Sequence, residues 1–134
     1  MRSLLFFTLF FGFSGPAIAD SEVFKIDVSA ESYRNYILSG TDRNGSVSGE
    51  DPSVTLKKGD IIIFDVNASR HPLYIKTKFS RGGGDQVTTG IISGTLGTQN
   101  GKISWNTKGV SSGKYYYVCS PHASLGMGGT IIIE

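Results

Sequence analysis

A short stretch near the carboxyl terminus concentrates the side chains that can bind a metal ion. Cys119, His122 and Met127 lie within nine residues, and His71 lies far upstream. Together they offer one thiolate, two imidazoles and one thioether. The sequence contains one Cys and two His, and its only other Met is Met1. This concentration of rare donor residues favours a single site over four unrelated side chains.

The donor set is typical of type 1 copper. Two imidazoles and one thiolate, with a weak axial thioether, are the ligands of blue-copper electron-transfer sites. Structural zinc sites have two or more thiolates, and iron–sulfur clusters have several, whereas this chain has one Cys. We therefore predict one copper ion, alternating between Cu(I) and Cu(II), bound by His71, Cys119, His122 and Met127.

Two other interpretations use the same residues. Cys119 and His122 could form a nucleophile and base, but no Asn or Asp is a candidate to orient the His, and Met127 would have no role. Alternatively, Cys119 and Met127 could be core residues and each His an ordinary structural residue, as any one of them alone more often is. The joint spacing favours the metal site.

The first 19 residues have the features of a signal peptide. Residues 1–3 include a positive charge, residues 4–13 are mainly apolar, and residues 17–19 have the small-x-small form of a cleavage site. The apolar run is too short to span a bilayer. We expect cleavage after Ala19, export, and no membrane insertion of the mature protein.

The charge distribution limits the possible partners, and a glycosylation sequon limits the possible cellular compartments. The net charge of +2 becomes +1 without Arg2. Basic residues are scattered among acidic ones, with only short clusters at residues 57–58 and 76–81, which argues against nucleic-acid binding. In a eukaryotic secretory route, a glycan on Asn67 of the Asn-Ala-Ser sequon would crowd His71. We therefore expect a bacterial periplasmic protein.

Residues 20–134 are predicted to form a single all-β domain. Short β-branched and aromatic runs alternate with turns, and no long helical periodicity is present. A half-exposed strand is predicted for Tyr74–Phe79, and residues 40–52 are predicted to be a polar loop. The clearest predicted strands are residues 22–29, 61–66, 102–105, 115–119 and 130–133.

The carboxyl-terminal loop resembles the copper loop of the plastocyanin-type cupredoxins. The similarity rests on Cys119-Ser120-Pro121-His122 followed by Met127-Gly128, on the aromatic strand before them, and on the turn at residues 57–60. It covers roughly the mature chain, most firmly residues 54–134. It implies an eight-stranded Greek-key β-sandwich, with His71, Cys119 and His122 as equatorial ligands through sulfur and Nδ1, and Met127 as the axial ligand.

The resemblance also implies a function. It suggests a non-enzymatic, diffusible one-electron carrier, which we expect to be a monomer that docks weakly with redox proteins. The alternative is a copper storage or delivery protein with the same ligands; catalytic copper and a metal-free adhesion sandwich are further alternatives. The expected electron-transfer patch is apolar, surrounds His122, and comprises Pro121, His122, Ala123, Leu125 and Gly126, with Pro72 and Leu73 at its margin.

The sequence departs from plastocyanin at two neighbours of the ligands. Pro72 stands where plastocyanins have Asn, and Val118 where they have Tyr. The hydrogen bonds that fix the loop around Cys119 must then come from other residues. We expect Ser69 and Ser120 to provide them.

Overall fold

The computed structural model describes residues 20–134, which form two β-sheets packed around one core. The predicted signal peptide, residues 1–19, lies outside the described residues. The strands are β1 (Val23–Ala30), β2 (Tyr36–Asp42), β3 (Gly45–Glu50), β4 (Val54–Leu56), β5 (Ile61–Asn67), β6 (Leu73–Lys76), β7 (Ile91–Ser93), β8 (Asn100–Asn106), β9 (Gly113–Cys119) and β10 (Gly128–Ile133).

The all-β sandwich predicted from the sequence is confirmed, with ten strands in place of about eight. One sheet has six strands in the order β3-β2-β1-β5-β8-β7, and the other has four in the order β4-β10-β9-β6. β1 pairs in parallel with β5, and β10 pairs in parallel with β4. Within residues 20–134, no helix has the length and apolar character needed to cross a membrane.

The central strands form where apolar and polar side chains alternate along the sequence. In β1, Phe24, Ile26 and Val28 are buried, while the residues between them, Lys25 and Asp27, are exposed. β5 repeats the alternation one strand away. Because successive side chains of a strand point to opposite faces, this pattern places one face of the sheet on the core and the other toward water. The largest buried side chains are Trp105, Tyr36, Tyr117 and Phe64.

The four-stranded sheet brings the two parts of the predicted metal site together. β6 pairs antiparallel with β9, so that Leu73 lies opposite Cys119. β9 also pairs antiparallel with β10, and Gly128 lies opposite Val118. His71 just before β6 and the loop between β9 and β10 therefore lie at the same end of the sandwich.

The polar loop predicted for residues 40–52 was wrong. The segment forms the end of β2 and all of β3, with Asp42 paired with Gly45 across a two-residue turn. β3 is the outermost strand of its sheet, and Val47 is its only buried side chain. Because such a strand faces water on most of its surface, its composition is close to that of a loop.

Lys76 also differs from expectation. The half-exposed strand predicted through Phe79 ends at Lys76, whose side chain is fully buried. Its ammonium donates to the Ser80 carbonyl at 2.8 Å and to the Gly82 carbonyl. These carbonyl groups replace water around the charge, which explains why a lysine can be buried at this position.

Candidate metal centre

A closed backbone loop positions Cys119, His122 and Met127. Cys119 ends β9 and is followed by a short 3-10 segment, Ser120–Leu125, which ends at Gly126 in the left-handed conformation with φ 82°. The Cys119 N–H donates to the Met127 carbonyl at 3.0 Å, and the Met127 N–H donates to the His122 carbonyl at 3.3 Å. The loop is therefore held by its own peptide groups, independently of any metal.

His71 reaches the same place from the adjacent strand. Its N–H donates to the Ala68 carbonyl at 2.9 Å, which forms a turn just before β6. The Ser120 N–H donates to the Pro72 carbonyl at 3.3 Å, which joins this turn to the carboxyl-terminal loop. The turn and the loop consequently hold His71 opposite Cys119 and His122.

The three nitrogen and sulfur atoms form a triangle of the size that a metal ion requires. Cys119 Sγ lies 3.3 Å from His122 Nδ1 and 3.7 Å from His71 Nδ1, and the two Nδ1 atoms lie 3.2 Å apart. The point equidistant from these atoms is about 2.0 Å from each, close to a metal–nitrogen bond and slightly shorter than a metal–sulfur bond. The residues present therefore fit one metal ion.

Burial shifts the pKa values of two of these groups. It lowers the pKa of His71, and the nearby His122 and Arg70 add to that shift, so the neutral imidazole with a free lone pair is favoured. Burial raises the pKa of the Cys119 thiol, although the His122 N–H and the Tyr36 hydroxyl oppose the change. Without a metal the thiol therefore holds its proton, which a bound cation would displace.

Only one of the four predicted ligands has a clear path to the surface. Cys119 and Met127 are fully buried, and 7% of the His71 surface is exposed. His122 is half-buried, and Pro121 beside it is exposed. His122 is thus the side chain through which the interior of the site meets the solvent.

Two members of the predicted surface patch are placed differently by the structure. Ala123 is buried because the 3-10 turn directs it inward, and Leu73 is buried because it lies in β6 against the core. Leu125 is 48% exposed, and Gly126 is exposed. Of the predicted patch, Pro121, Leu125 and Gly126 are therefore exposed, and Pro72 is half-buried.

The sequence analysis missed Tyr36, which supports His71. Tyr36 begins β2 and is fully buried, and its hydroxyl donates to the His71 carbonyl at 2.7 Å. Asp51 holds the Tyr36 backbone, because its carboxylate accepts from the Tyr36 N–H at 2.8 Å. Of the two predicted serines, Ser120 contributes a hydrogen bond through its backbone N–H to the Pro72 carbonyl, whereas Ser69 is exposed. No feature of the sequence links Tyr36 to a histidine 35 positions away.

Tyr36→Phe is expected to lower the free energy of unfolding of the metal-free protein by about 1–2 kcal/mol, since a buried carbonyl loses its donor. The measurement is urea unfolding. Tyr115→Phe is the matched control, because the Tyr115 hydroxyl makes an equally short bond, 2.7 Å to the Ser111 carbonyl, in an exposed place. Equal losses in the two variants would contradict a special role for Tyr36.

The sequence analysis also missed Tyr33 as a neighbour of the site. Its ring centroid lies 5.3 Å from that of His122 and 6.1 Å from that of His71. The two imidazole centroids are 5.0 Å apart. Tyr33 lies in the loop between β1 and β2, residues 31–35, far in sequence from each of the four predicted ligands.

Comparisons with known proteins agree on the fold and the family. Residues 37–134 match the family model described as copper binding proteins, plastocyanin/azurin family. A reduced rusticyanin structure is 20% identical, with 86% of this chain and 81% of that chain covered and a TM-score of 0.53.

Two further solved structures are similar. Rusticyanin from Thiobacillus ferrooxidans is 16% identical, with 86% and 79% of the two chains covered and a TM-score of 0.45. A pseudoazurin from Sinorhizobium is 18% identical, with 86% and 75% covered and a TM-score of 0.44. Among curated protein sequences, none matches significantly.

Proposed function

Because the chain belongs to the plastocyanin/azurin family of copper-binding proteins, we propose that it is a diffusible one-electron carrier. It binds one copper ion, and its family membership makes it a type 1 copper electron-transfer protein. In the proposal, His71, Cys119 and His122 are the equatorial ligands and Met127 is the axial ligand. The bound ion supplies the chemistry by alternating between Cu(II) and Cu(I).

The triangle of Cys119 Sγ and the two Nδ1 atoms carries this proposal. All three donors lie within 4.8 Å of one another on a scaffold whose hydrogen bonds do not depend on the ion. Thiolate and thioether sulfur suit Cu(I), and imidazole also suits Cu(II). A rigid set of mixed donors holds its positions in both oxidation states, so little rearrangement accompanies transfer of an electron.

The exposure of the site supports a carrier over an enzyme. A catalytic copper centre needs an open position for substrate, whereas Cys119 and Met127 are fully buried. The half-buried His122 and the apolar patch of Pro121, Leu125 and Gly126 offer a small contact surface. Small contact surfaces are typical of weak electron-transfer encounters, so we propose redox proteins as transient partners of a monomeric carrier.

Export belongs to the same proposal. Removal of residues 1–19 would release a protein beginning at Asp20 into a bacterial periplasm. The experiment is amino-terminal sequencing of the periplasmic protein from an expressing bacterium. An isolated protein that still contains residues 1–19, or one that stays in the cytoplasm, would contradict the proposed export.

Copper exchange separates the carrier from a storage or delivery protein. A delivery protein needs an exchangeable site, whereas the donors here are mainly buried. We expect fast electron self-exchange between the Cu(I) and Cu(II) forms, measured by NMR line broadening, and slow loss of Cu(I) to a competing chelator. Rapid loss of Cu(I) together with slow self-exchange would overturn the carrier proposal.

Met127→Leu is expected to retain copper and to raise the reduction potential. Because Cu(II) has the higher charge, it loses more stabilisation than Cu(I) does when the axial donor is replaced by an apolar group. A tenfold change in the redox equilibrium corresponds to about 59 mV, and we expect a rise of that order. Cyclic voltammetry measures it; an unchanged or lower potential would contradict the axial role of Met127.

A further inference from the structure

Tyr33 combines high exposure with contact at the proposed copper site. Its surface is 59% exposed, yet its ring lies against both imidazoles, at interplanar angles of 47° to His122 and 49° to His71. Exposed apolar side chains are common and usually need no explanation. Tyr33 differs because the two rings it touches are the two predicted nitrogen ligands.

The segment that carries Tyr33 is fixed to the scaffold beside the site. The Arg34 N–H donates to the Ser32 hydroxyl at 3.2 Å, which forms a turn around Tyr33. Three residues after Tyr33, the Tyr36 N–H donates to the Asp51 carboxylate and the Tyr36 carbonyl accepts from the Asp51 N–H, while the Tyr36 hydroxyl donates to the His71 carbonyl. The short segment of residues 33–36 therefore contacts the site at two points, through the Tyr33 ring and through the Tyr36 hydroxyl.

The His122 ring packs against two aromatic rings, with centroid distances of 5.0 Å to His71 and 5.3 Å to Tyr33. Its polar contacts are on the Nδ1 edge, with Cys119 Sγ at 3.3 Å and His71 Nδ1 at 3.2 Å. His122 also lies at an irregular point of the 3-10 segment, with φ −114° and ψ 16°. Support for the remainder of this half-buried ring must come from packing, and the Tyr33 ring lies against it.

We propose that Tyr33 is a positioning residue for His122. Its ring packs on the imidazole, restricts rotation about the side-chain bonds, and keeps Nδ1 directed toward Cys119. Tilted aromatic pairs at this separation contribute beyond the area they bury. The inference rests on the proposed function, because it takes His122 as the copper ligand that meets the solvent.

Three variants test the role of the ring. Tyr33→Ala removes it, Tyr33→Phe keeps it without the hydroxyl, and Ile92→Ala is the control because Ile92 is 57% exposed on β7. We expect Tyr33→Ala to speed Cu(I) loss to a chelator by about two- to tenfold. The rates of Tyr33→Phe and Ile92→Ala are expected to stay close to that of the wild type.

A second measurement uses the copper-free protein. Proton NMR of the His122 ring is expected to shift in Tyr33→Ala, because the ring current of Tyr33 is lost, and to remain near wild type in Tyr33→Phe. Unchanged chelator rates and ring shifts in Tyr33→Ala would overturn the inference. Equal effects of Tyr33→Phe and Tyr33→Ala would also overturn it, since the hydroxyl would then be responsible.

The two proposals fail in different ways. A wild-type protein that binds copper without the properties of a carrier would defeat the proposed function, while the metal-free NMR comparison would still show whether the Tyr33 ring packs on His122. A normal blue carrier in which Tyr33→Ala changes neither readout would defeat only the inference about Tyr33.

Discussion

Cys119→Ser is expected to abolish the intense visible absorption of the copper-loaded protein. That absorption arises from charge transfer from the thiolate to copper, and a hydroxyl cannot replace the sulfur as a soft ligand. Cys119 is the only cysteine of the chain, and its Sγ completes the triangle with the two Nδ1 atoms. We expect complete loss of the band together with weaker copper binding, measured by absorption spectroscopy and metal titration.

Controls separate loss of colour from loss of fold. Serine places a hydroxyl in a fully buried position, which by itself costs stability, so Cys119→Ala is compared as an apolar replacement. Ser124→Ala, at an exposed position of the same loop, is expected to remain blue. A blue Cys119→Ser protein would show that the ligand assignment is wrong.

Asp60→Ala is expected to lower the free energy of unfolding by about 3 kcal/mol or more, because several hydrogen bonds to a buried carboxylate are lost together. Asp60 is fully buried at the turn before β5. Its carboxylate accepts from the Arg43 guanidinium at 2.6 and 2.8 Å, from the Glu22 N–H at 3.0 Å and from the Lys57 N–H at 2.7 Å. The substitution removes all four hydrogen bonds at once.

The loss is expected to depend on pH. Burial raises the pKa of Asp60, but the Arg43 guanidinium and the Glu22 and Lys57 N–H groups outweigh it and hold the pKa below its ordinary value. The contribution of Asp60 is therefore complete above about pH 4, the unfolded-state pKa, and is lost as the pH falls through the lower folded-state pKa. Wild type and Asp60→Ala should converge in strong acid.

Urea unfolding of the copper-free proteins measures both effects. The matched control is Asp27→Ala, which removes an acid that is 67% exposed and lies 3.7 Å from the Lys25 ammonium. Exposed pairs of this kind contribute about 0–1 kcal/mol. The stabilising role of the Asp60 carboxylate would be contradicted in two cases. Asp60→Ala could lose no more unfolding free energy than Asp27→Ala, or its loss could be independent of pH.

The sequence predicted the central strands well because their side chains alternate. β1 and β5 each bury every second residue, and that periodicity is visible without knowledge of their neighbours. The polar β3 was missed because its position at the sheet margin requires only Val47 to be buried. Its pairing with β2 depends on the register, which single-strand patterns do not contain.

The metal site likewise contains residues that the local sequence predicts and residues that only the folded structure brings into place. The short spacing from Cys119 to Met127 was readable directly, and counting the rare donors pointed to His71. Tyr33 and Tyr36 were missed because they reach the site across the sandwich, through contacts that no local pattern encodes. Ala123 is buried because of the orientation of one irregular 3-10 turn, and the local sequence does not predict that orientation.

The visible absorption spectrum of the purified protein, recorded together with its copper content, shows whether the chain forms a type 1 copper site. We expect one copper ion per chain and one intense band at about 600 nm in the oxidised form, which disappears on reduction by one electron. A chain that binds no copper, or that binds Cu(II) without this band, would contradict a type 1 site formed by Cys119 and the two histidines.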